Sequence, residues 1–284
     1  MIIKENVRLN DYTTIKMGGL AKKMYIPTNE DEIIDVITRL SPKYYIGGGS
    51  NLLINDSVYD IVVNLREFNK NIEHIGNGEY IVGASLRLQN LIKSINNDGY
   101  GGIEYLFSVP GLVGGAVVMN AGRAKQYNKC ISDYILAVKV FHNGQVIWLS
   151  KDECDFSHRH SIFKQSDYLV LAVRMQFSEI EPTESESLRQ NRIEYCKQFQ
   201  DNSKPNFGSV FSESNSLIMK LMQKKLFGKK GNMMFSSKTP NWLLNCGGSF
   251  DDAIFLIDRV EKMHKIIGKP CKREVVVWNN KDSI

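Results

Sequence analysis

Five cysteines in 284 residues, odd in number and widely separated (Cys130, Cys154, Cys196, Cys246 and Cys271), form no CxxC pair. That spacing excludes a disulfide framework and a zinc ribbon, and predicts free thiols in a reducing compartment. No apolar run approaches the ~18 residues that a bilayer span needs. The opening residues Met1-Ile2-Ile3-Lys4-Glu5-Asn6 lack a basic segment followed by an apolar one, so no secretory signal and a cytoplasmic location are expected. There is no concentrated basic stripe. The net charge of +5 is a mild excess that suits small anionic ligands and argues against nucleic acid. Histidines are scattered; only His158 and His160 lie close together, flanking Arg159 on an expected strand, and no metal site is predicted. Internal repeats and low-complexity tracts are absent, and no obligatory protein partner is evident. What is present is ordinary globular composition, 43% hydrophobic and 24% charged, in a chain long enough for two or three domains of about 100 residues.

Hydrophobic periodicity divides the chain. Met24–Pro27 reads as a strand, and Asn29 with Glu30-Asp31-Glu32 supplies a cap and acidic first turn for a helix through Leu40. Tyr44–Ile46 returns as the next strand. β-branched runs at Ile61–Leu65, Tyr80–Gly83, Ile135–Phe141 and Tyr168–Met175 predict further strands, and His142-Asn143-Gly144-Gln145 is a hairpin signal leading into Val146–Leu149. Helices are expected over Leu86–Asp98, from Ser187 to about Phe199, over Leu217–Leu226 and over Phe250–Ile267, the last with Ala253, Ile254, Ile257, Val260 and Met263 inward. Arg273–Trp278 closes the chain as a strand. Met219, Met222, Met233 and Met234 are read as core filling in preference to a soft ligand surface.

Two glycine-rich segments carry the chemistry. Gly47-Gly48-Gly49-Ser50-Asn51 follows directly on the Tyr44–Ile46 strand. Without Cβ atoms, successive backbone N–H groups can converge on one anion such as a diphosphate, with Ser50 and Asn51 at the rim; a tight structural turn is the alternative. A second segment, Pro110-Gly111-Leu112-Val113-Gly114-Gly115 through Asn120-Ala121-Gly122, tips the balance. Two such loops ending in polar amides suit a large phosphate-bearing cofactor better than two unrelated turns.

In order along nearly the whole chain, these landmarks resemble the UDP-N-acetylenolpyruvoylglucosamine reductase (UDP-N-acetylmuramate dehydrogenase) family. Thr13-Thr14-Ile15-Lys16-Met17-Gly18-Gly19-Leu20-Ala21 is similar to its opening motif, and the Gly47–Leu53 stretch to its flavin diphosphate loop. Val109–Gly122 is similar to its long proline- and glycine-containing signature. Phe156–Phe163, Gly208-Ser209-Val210-Phe211 and Lys272-Arg273-Glu274-Val275 resemble its later motifs. The short spacing between Arg159 and Ser209 resembles the family's second, shorter type.

The resemblance implies an α+β fold of three domains. Residues 1–60 and 61–180 would form an FAD-binding module of the PCMH/vanillyl-alcohol-oxidase type, and residues 181–284 an α/β substrate domain. It implies FAD held by Gly47, Gly48, Gly49, Ser50, Asn51, Pro110, Gly111, Gly114, Gly115, Asn120 and Gly122, and NADPH as reductant. It also implies the reduction of an enolpyruvyl ether of a nucleotide sugar to a lactyl ether for peptidoglycan precursors. Arg159 would grip the substrate carboxylate, a task suited to a planar, permanently charged bidentate donor. Glu274, pushed toward its neutral form beside that carboxylate, would hydrogen-bond the enolate, and Ser209 would deliver the proton. Some positions depart from the family pattern. His158 replaces a tyrosine, Ser212-Glu213-Ser214 stands where a cation is usual, Lys238-Thr239-Pro240-Asn241-Trp242 replaces a Lys-His-Ala-Asn-Phe run, and Arg123-Ala124-Lys125 replaces Ala-Tyr-Gly. Two other readings stay open: a paralogous reductase of another enolpyruvyl sugar, and a flavin-binding protein without turnover.

Overall fold

The computed structural model describes residues 1–122, 129–164 and 167–279. The chain divides into two compact units, each built from separated stretches. Met1–Lys4, Tyr25–Gly48 and Val62–Cys196 form the first; Glu5–Met24, Gly49–Ile61 and the chain from Lys197 onward form the second. The chain passes between units inside the strands Ile2–Arg8, Leu20–Ile26 and Val58–Asn64, and within the first glycine loop, at Gly48/Gly49. The 123–125 departure from the family pattern lies outside the described residues.

In the first unit, the helix Glu30–Leu40 begins where Asn29 accepts the Glu32 amide through its side chain (2.9 Å). It stops at Ser41, which adopts φ +44° and returns its amide to the Ile37 carbonyl. Its buried Ile33 and Val36 turn one face inward. The strand Tyr44–Ile46 then pairs parallel with Val62–Asn64 and delivers the glycine loop at its carboxyl end. A five-stranded antiparallel sheet follows, ordered Gln145–Ser150, Ile135–His142, Leu169–Gln176, Glu79–Gly83, Ile72–Gly76. Val138, Val173 and Val82 stand in register across its three central strands. They share one core with Leu88, Leu91, Ile92 and Ile95 of the helix Leu88–Asn97 and with Val113 and Val117 of the short helix Val113–Val118. Each such side chain contributes about 1.5–3 kcal/mol by leaving water. The Asn143-Gly144 hairpin forms as expected, both residues at positive φ.

The second unit has its own core. Phe207, Val210, Phe211, Met219, Met222, Met233 and Phe235 pack with Ala253, Leu256, Ile257 and Val260 of the helix Phe250–Ile266, so three of the four methionines fill core as expected. Ser249 and Asp252 close a capping box at that helix's start. Leu256 takes the fully buried place expected for Ile254, which is only partly buried.

Four elements differ from expectation. The charged helix starts at Pro182, because proline's fixed φ suits the first helical turn. The Leu217–Leu226 helix is two pieces, Ser216–Met222 and Lys225–Gly228, separated by an extended Lys224. The stretch around Arg159 is a turn; Ser157 and His160 exchange backbone bonds (3.2 and 3.1 Å). The terminal strand is broken: Lys272–Arg273 pairs antiparallel with Phe211–Glu213, and Val276–Trp278 pairs parallel with Leu52–Ile54. Glu274 stands at the change of partner.

Candidate active site

The first glycine loop owes its orientation to a residue that sequence reasoning missed. Arg66 donates from Nε to the Gly47 carbonyl (2.8 Å) and from Nη2 to the Gly48 carbonyl (3.3 Å), and its own amide is held by Asn64 Oδ1 (3.0 Å). A peptide's C=O and N–H point opposite ways, so tying the carbonyls to one guanidinium turns the amides to the other side. Among the described residues, the amides of Gly47, Gly48, Gly49 and Ser50 donate to no protein group. Gly49 has φ +68°, and a Cβ there would fall 1.9 Å from the Tyr12 carbonyl oxygen, so only glycine fits. The sole sequence cue to Arg66 was a cation just beyond the strand that neighbours Tyr44–Ile46.

The second loop meets the first. A Cβ on Gly48 would lie 3.0 Å from the Gly111 Cα, and one on Gly47 would lie 3.5 Å from Leu112 Cδ1. Beyond this contact, the expected cofactor residues divide. Pro110 is exposed, and Gly111 uses its carbonyl on the Leu88 amide (3.1 Å). Gly114 allows close packing: its amide reaches the Ala84 carbonyl (2.9 Å) and a Cβ would sit 3.0 Å from Ala84 Cβ. Gly122 is filled in by Cys130, whose Sγ would lie 2.6 Å from an added Cβ. Buried Asn120, at φ +41°, accepts the Ser132 amide (3.3 Å) and donates to the Ser157 carbonyl (2.9 Å). It therefore ties this loop to the Arg159 turn. Gly115 is exposed as well, and an added Cβ there has nothing within 4 Å. Four consecutive available amides and an open glycine face fit a diphosphate-bearing cofactor.

Arg159 is half-buried at φ +55°, and its carbonyl accepts from Lys164 Nζ (3.2 Å). Its charge reaches the Cys130 thiol. Burial, with Asp133 second, raises that thiol's pKa, and Arg159 opposes the rise.

Ser209, Glu274 and Asn51 gather in the second unit. The amides of Glu274 and Val275 both donate to the Val210 carbonyl (2.8 and 3.2 Å), which is why the terminal strand breaks there. Asn51 Nδ2 donates to the Glu274 carbonyl (3.1 Å), and the Asn51 carbonyl accepts the Val276 amide (3.0 Å). The asparagine expected to touch cofactor thus holds the glutamate's backbone. Ser209 lies next to Val210 and bridges Trp242. Arg273 is turned away from its neighbour: its guanidinium pairs with Glu261 (2.9 Å at both nitrogens) and Asp258 (3.2 Å). Among the described residues, no group of three or more His, Cys, Asp or Glu could hold a metal ion. Nor is any described helix long and apolar enough to cross a membrane.

Residues 21–150 match the family of FAD binding domains. Together with the open amides of the first loop, this defines a flavoprotein that binds FAD. Its relatives narrow the class. The UDP-N-acetylenolpyruvoylglucosamine reductase of Thermotoga maritima is 31% identical over 96% of this chain and 98% of its own. That of Bacillus subtilis is 31% identical over 90% and 87%. The solved structure of the UDP-N-acetylenolpyruvylglucosamine reductase from Thermus caldophilus superposes with a TM-score of 0.81 at 26% identity, covering 98% of this chain and all of that one. The chain belongs to the UDP-N-acetylenolpyruvoylglucosamine reductase family.

Proposed function

We propose that the chain reduces UDP-N-acetylglucosamine enolpyruvate to UDP-N-acetylmuramate with NADPH, in the cytoplasm, as a step toward peptidoglycan precursors. The observation that carries this reading is that the Glu274 amide bonds the carbonyl of Val210, the residue directly after Ser209, within a chain of the reductase family. In this reading residues 1–60 and 61–180 hold FAD and residues 181–284 bring the substrate.

Bound FAD would supply hydride chemistry, accepting hydride from NADPH and passing it to the vinyl carbon of the substrate. The chain's own groups deal with the charge this creates. Hydride arriving at the vinyl terminus leaves a carbanion at the carbon bearing the carboxylate, delocalised into that carboxylate as an enolate. Arg159 neutralises it with a bidentate, permanently charged donor. Glu274 shares a hydrogen bond with the enolate oxygen. Ser209 Oγ–H gives its proton to the α-carbon and is reprotonated from solvent, leaving a lactyl ether with its carboxylate restored. A serine hydroxyl is a weak acid, so this step depends on the basicity of the enolate and on close placement. The Gly47–Ser50 amides would hold the flavin diphosphate, and Gly115 would leave room for the cofactor.

A second reading, a related enolpyruvyl sugar as substrate, is favoured by exposed Glu213, which lies across the strand pair from Lys272 where the family usually offers a cation. Stopped-flow mixing of the NADPH-reduced holoenzyme with the enolpyruvyl nucleotide sugar, without oxygen, tests both. Stoichiometric reoxidation supports the first reading. Flavin that stays reduced with this substrate but reoxidises with another enolpyruvyl sugar supports the second. Flavin that stays reduced with both removes the enzymatic assignment.

A further inference from the structure

We infer that Asn241 is a positioning residue for Ser209, an inference that rests on the proton-donor role proposed above. Thr239-Pro240-Asn241-Trp242 has the pattern of a type II turn. Proline stands second, Asn241 third at φ +69°, and the Trp242 amide closes on the Thr239 carbonyl (3.3 Å). Glycine serves the third position of such a turn at no steric cost, so the turn alone does not ask for a side chain there.

The amide group of Asn241 is used elsewhere. Its Oδ1 accepts the Phe211 amide (3.0 Å), and its Nδ2 donates to the Phe211 carbonyl (2.7 Å). Its main-chain carbonyl accepts the Val210 amide (2.9 Å). One residue thus grips the chain at three points, immediately after Ser209. Ser209 itself bridges Trp242, the next residue of the turn. On the other side, the Val210 carbonyl receives Glu274 and Val275. The side chain takes the place of a missing strand partner and fixes the backbone from which Ser209 projects. A hydroxyl that transfers a proton to carbon tolerates little displacement; misplacement by about 1 Å costs on the order of 10²-fold in rate.

The test uses Asn241→Gly, which the turn accommodates and which removes only the clamp, together with Asn241→Asp, which keeps the acceptor for the Phe211 amide and loses the donor. In FAD-free protein, hydrogen exchange at the Phe211 amide should accelerate in Asn241→Gly. In the holoenzyme, substrate-driven reoxidation of reduced flavin should slow by about 10- to 100-fold, with FAD content and NADPH reduction within about twofold of the parent. Asn241→Asp should fall between. The deciding measurement is the double variant with Ser209→Ala. If Asn241 acts through Ser209, the pair is no slower than Ser209→Ala alone. Multiplying losses, or parental reoxidation in both Asn241 variants, would overturn the inference while leaving Ser209's role standing. Parental reoxidation in Ser209→Ala itself would remove the proton-donor reading and this inference with it. Should Asn241→Gly not fold, Asn241→Asp alone and paired with Ser209→Ala decides by the same comparison.

Discussion

Replacing Gly115 separates a ligand's space from the protein's own packing. Most glycines of the two loops cannot do this. A Cβ on Gly48 meets the Gly111 Cα at 3.0 Å, and one on Gly49 meets the Tyr12 carbonyl oxygen at 1.9 Å, so substitution there disturbs the loops with or without cofactor. Gly115 differs: it is helical, exposed, and an added Cβ has nothing within 4 Å. Alanine within a helix is favoured over glycine by roughly 0.5–1 kcal/mol. In a unit of this size that corresponds to about 1–4 °C in Tm. Flavin-stripped Gly115→Ala should therefore be as stable as the parent or slightly more so. If the open face is where the cofactor packs, overfilling it costs about 1–3 kcal/mol. FAD affinity should then fall by roughly 5- to 150-fold, growing from Ala to Leu, since every 1.4 kcal/mol is tenfold. Thermal unfolding of the stripped protein and titration of FAD fluorescence measure the two quantities independently. Parental FAD affinity in Gly115→Leu would refute the placement of flavin on this face. Lost affinity accompanied by lost stability of the stripped protein would refute the claim that the face is empty of protein.

Arg66→Met should weaken FAD binding by about 10-fold or more, because it releases two carbonyls from hydrogen bonds to a charged group, each worth about 1.5–3 kcal/mol; unchanged affinity would show that the loop orients itself. Arg159→Ala and Glu274→Ala should slow substrate-driven flavin reoxidation by about 10²-fold or more and leave reduction by NADPH nearly intact; equal losses in both half-reactions would assign these residues to folding or cofactor binding. Ser209→Ala should cripple reoxidation alone, and Ser209→Cys should recover part of it, a thiol being the stronger acid; an alanine variant reoxidising at the parental rate rules out the proton transfer. Burial alone would raise the Asp201 pKa, but the Ser203 and Ser236 hydroxyls, the Ser203 amide and Lys238 outweigh it and hold it low. A lowered folded pKa gives stability that is complete above the ordinary value of about 3.9 and lost as pH falls through the folded value. The urea-midpoint difference between parent and Ser236→Ala should therefore narrow below about pH 4, and a constant difference would refute the linkage.

Much of this architecture could be read from local chemistry. Asn29 with its acidic turn, the Asn143-Gly144 hairpin and the glycine loop at a strand's end each carry their own geometric requirement in a few adjacent residues. Arg159 does not: a non-glycine residue at positive φ, between β-compatible neighbours, reads as extended, and only Asn120 and the Ser157–His160 exchange reveal the turn. The strand break at Glu274 was hidden for a similar reason. The β-branched run after Arg273 reads as one strand, and its break depends on a carbonyl far back in sequence, at Val210. Asn51 and Asn120 were assigned to the cofactor; the backbone bonds that their side chains also make were not legible, because an amide's partners are decided by tertiary placement. Arg66 left almost no trace, since a single cation after a strand looks like solvated surface.

The doubly accepting carbonyl of Val210 also governs how freely the rest of this region can change. The serine precedes that carbonyl's residue directly, and the glutamate's amide lands on the carbonyl, so the two backbones are pinned at a single node. Everything between them leaves the node and returns to it. A segment such as 212–214 can then exchange residues with little leverage on the spacing of Ser209 and Glu274. Diversification toward a different sugar could proceed in the intervening chain while the backbone of Ser209 and Glu274, the pair proposed to handle the proton, stays in place.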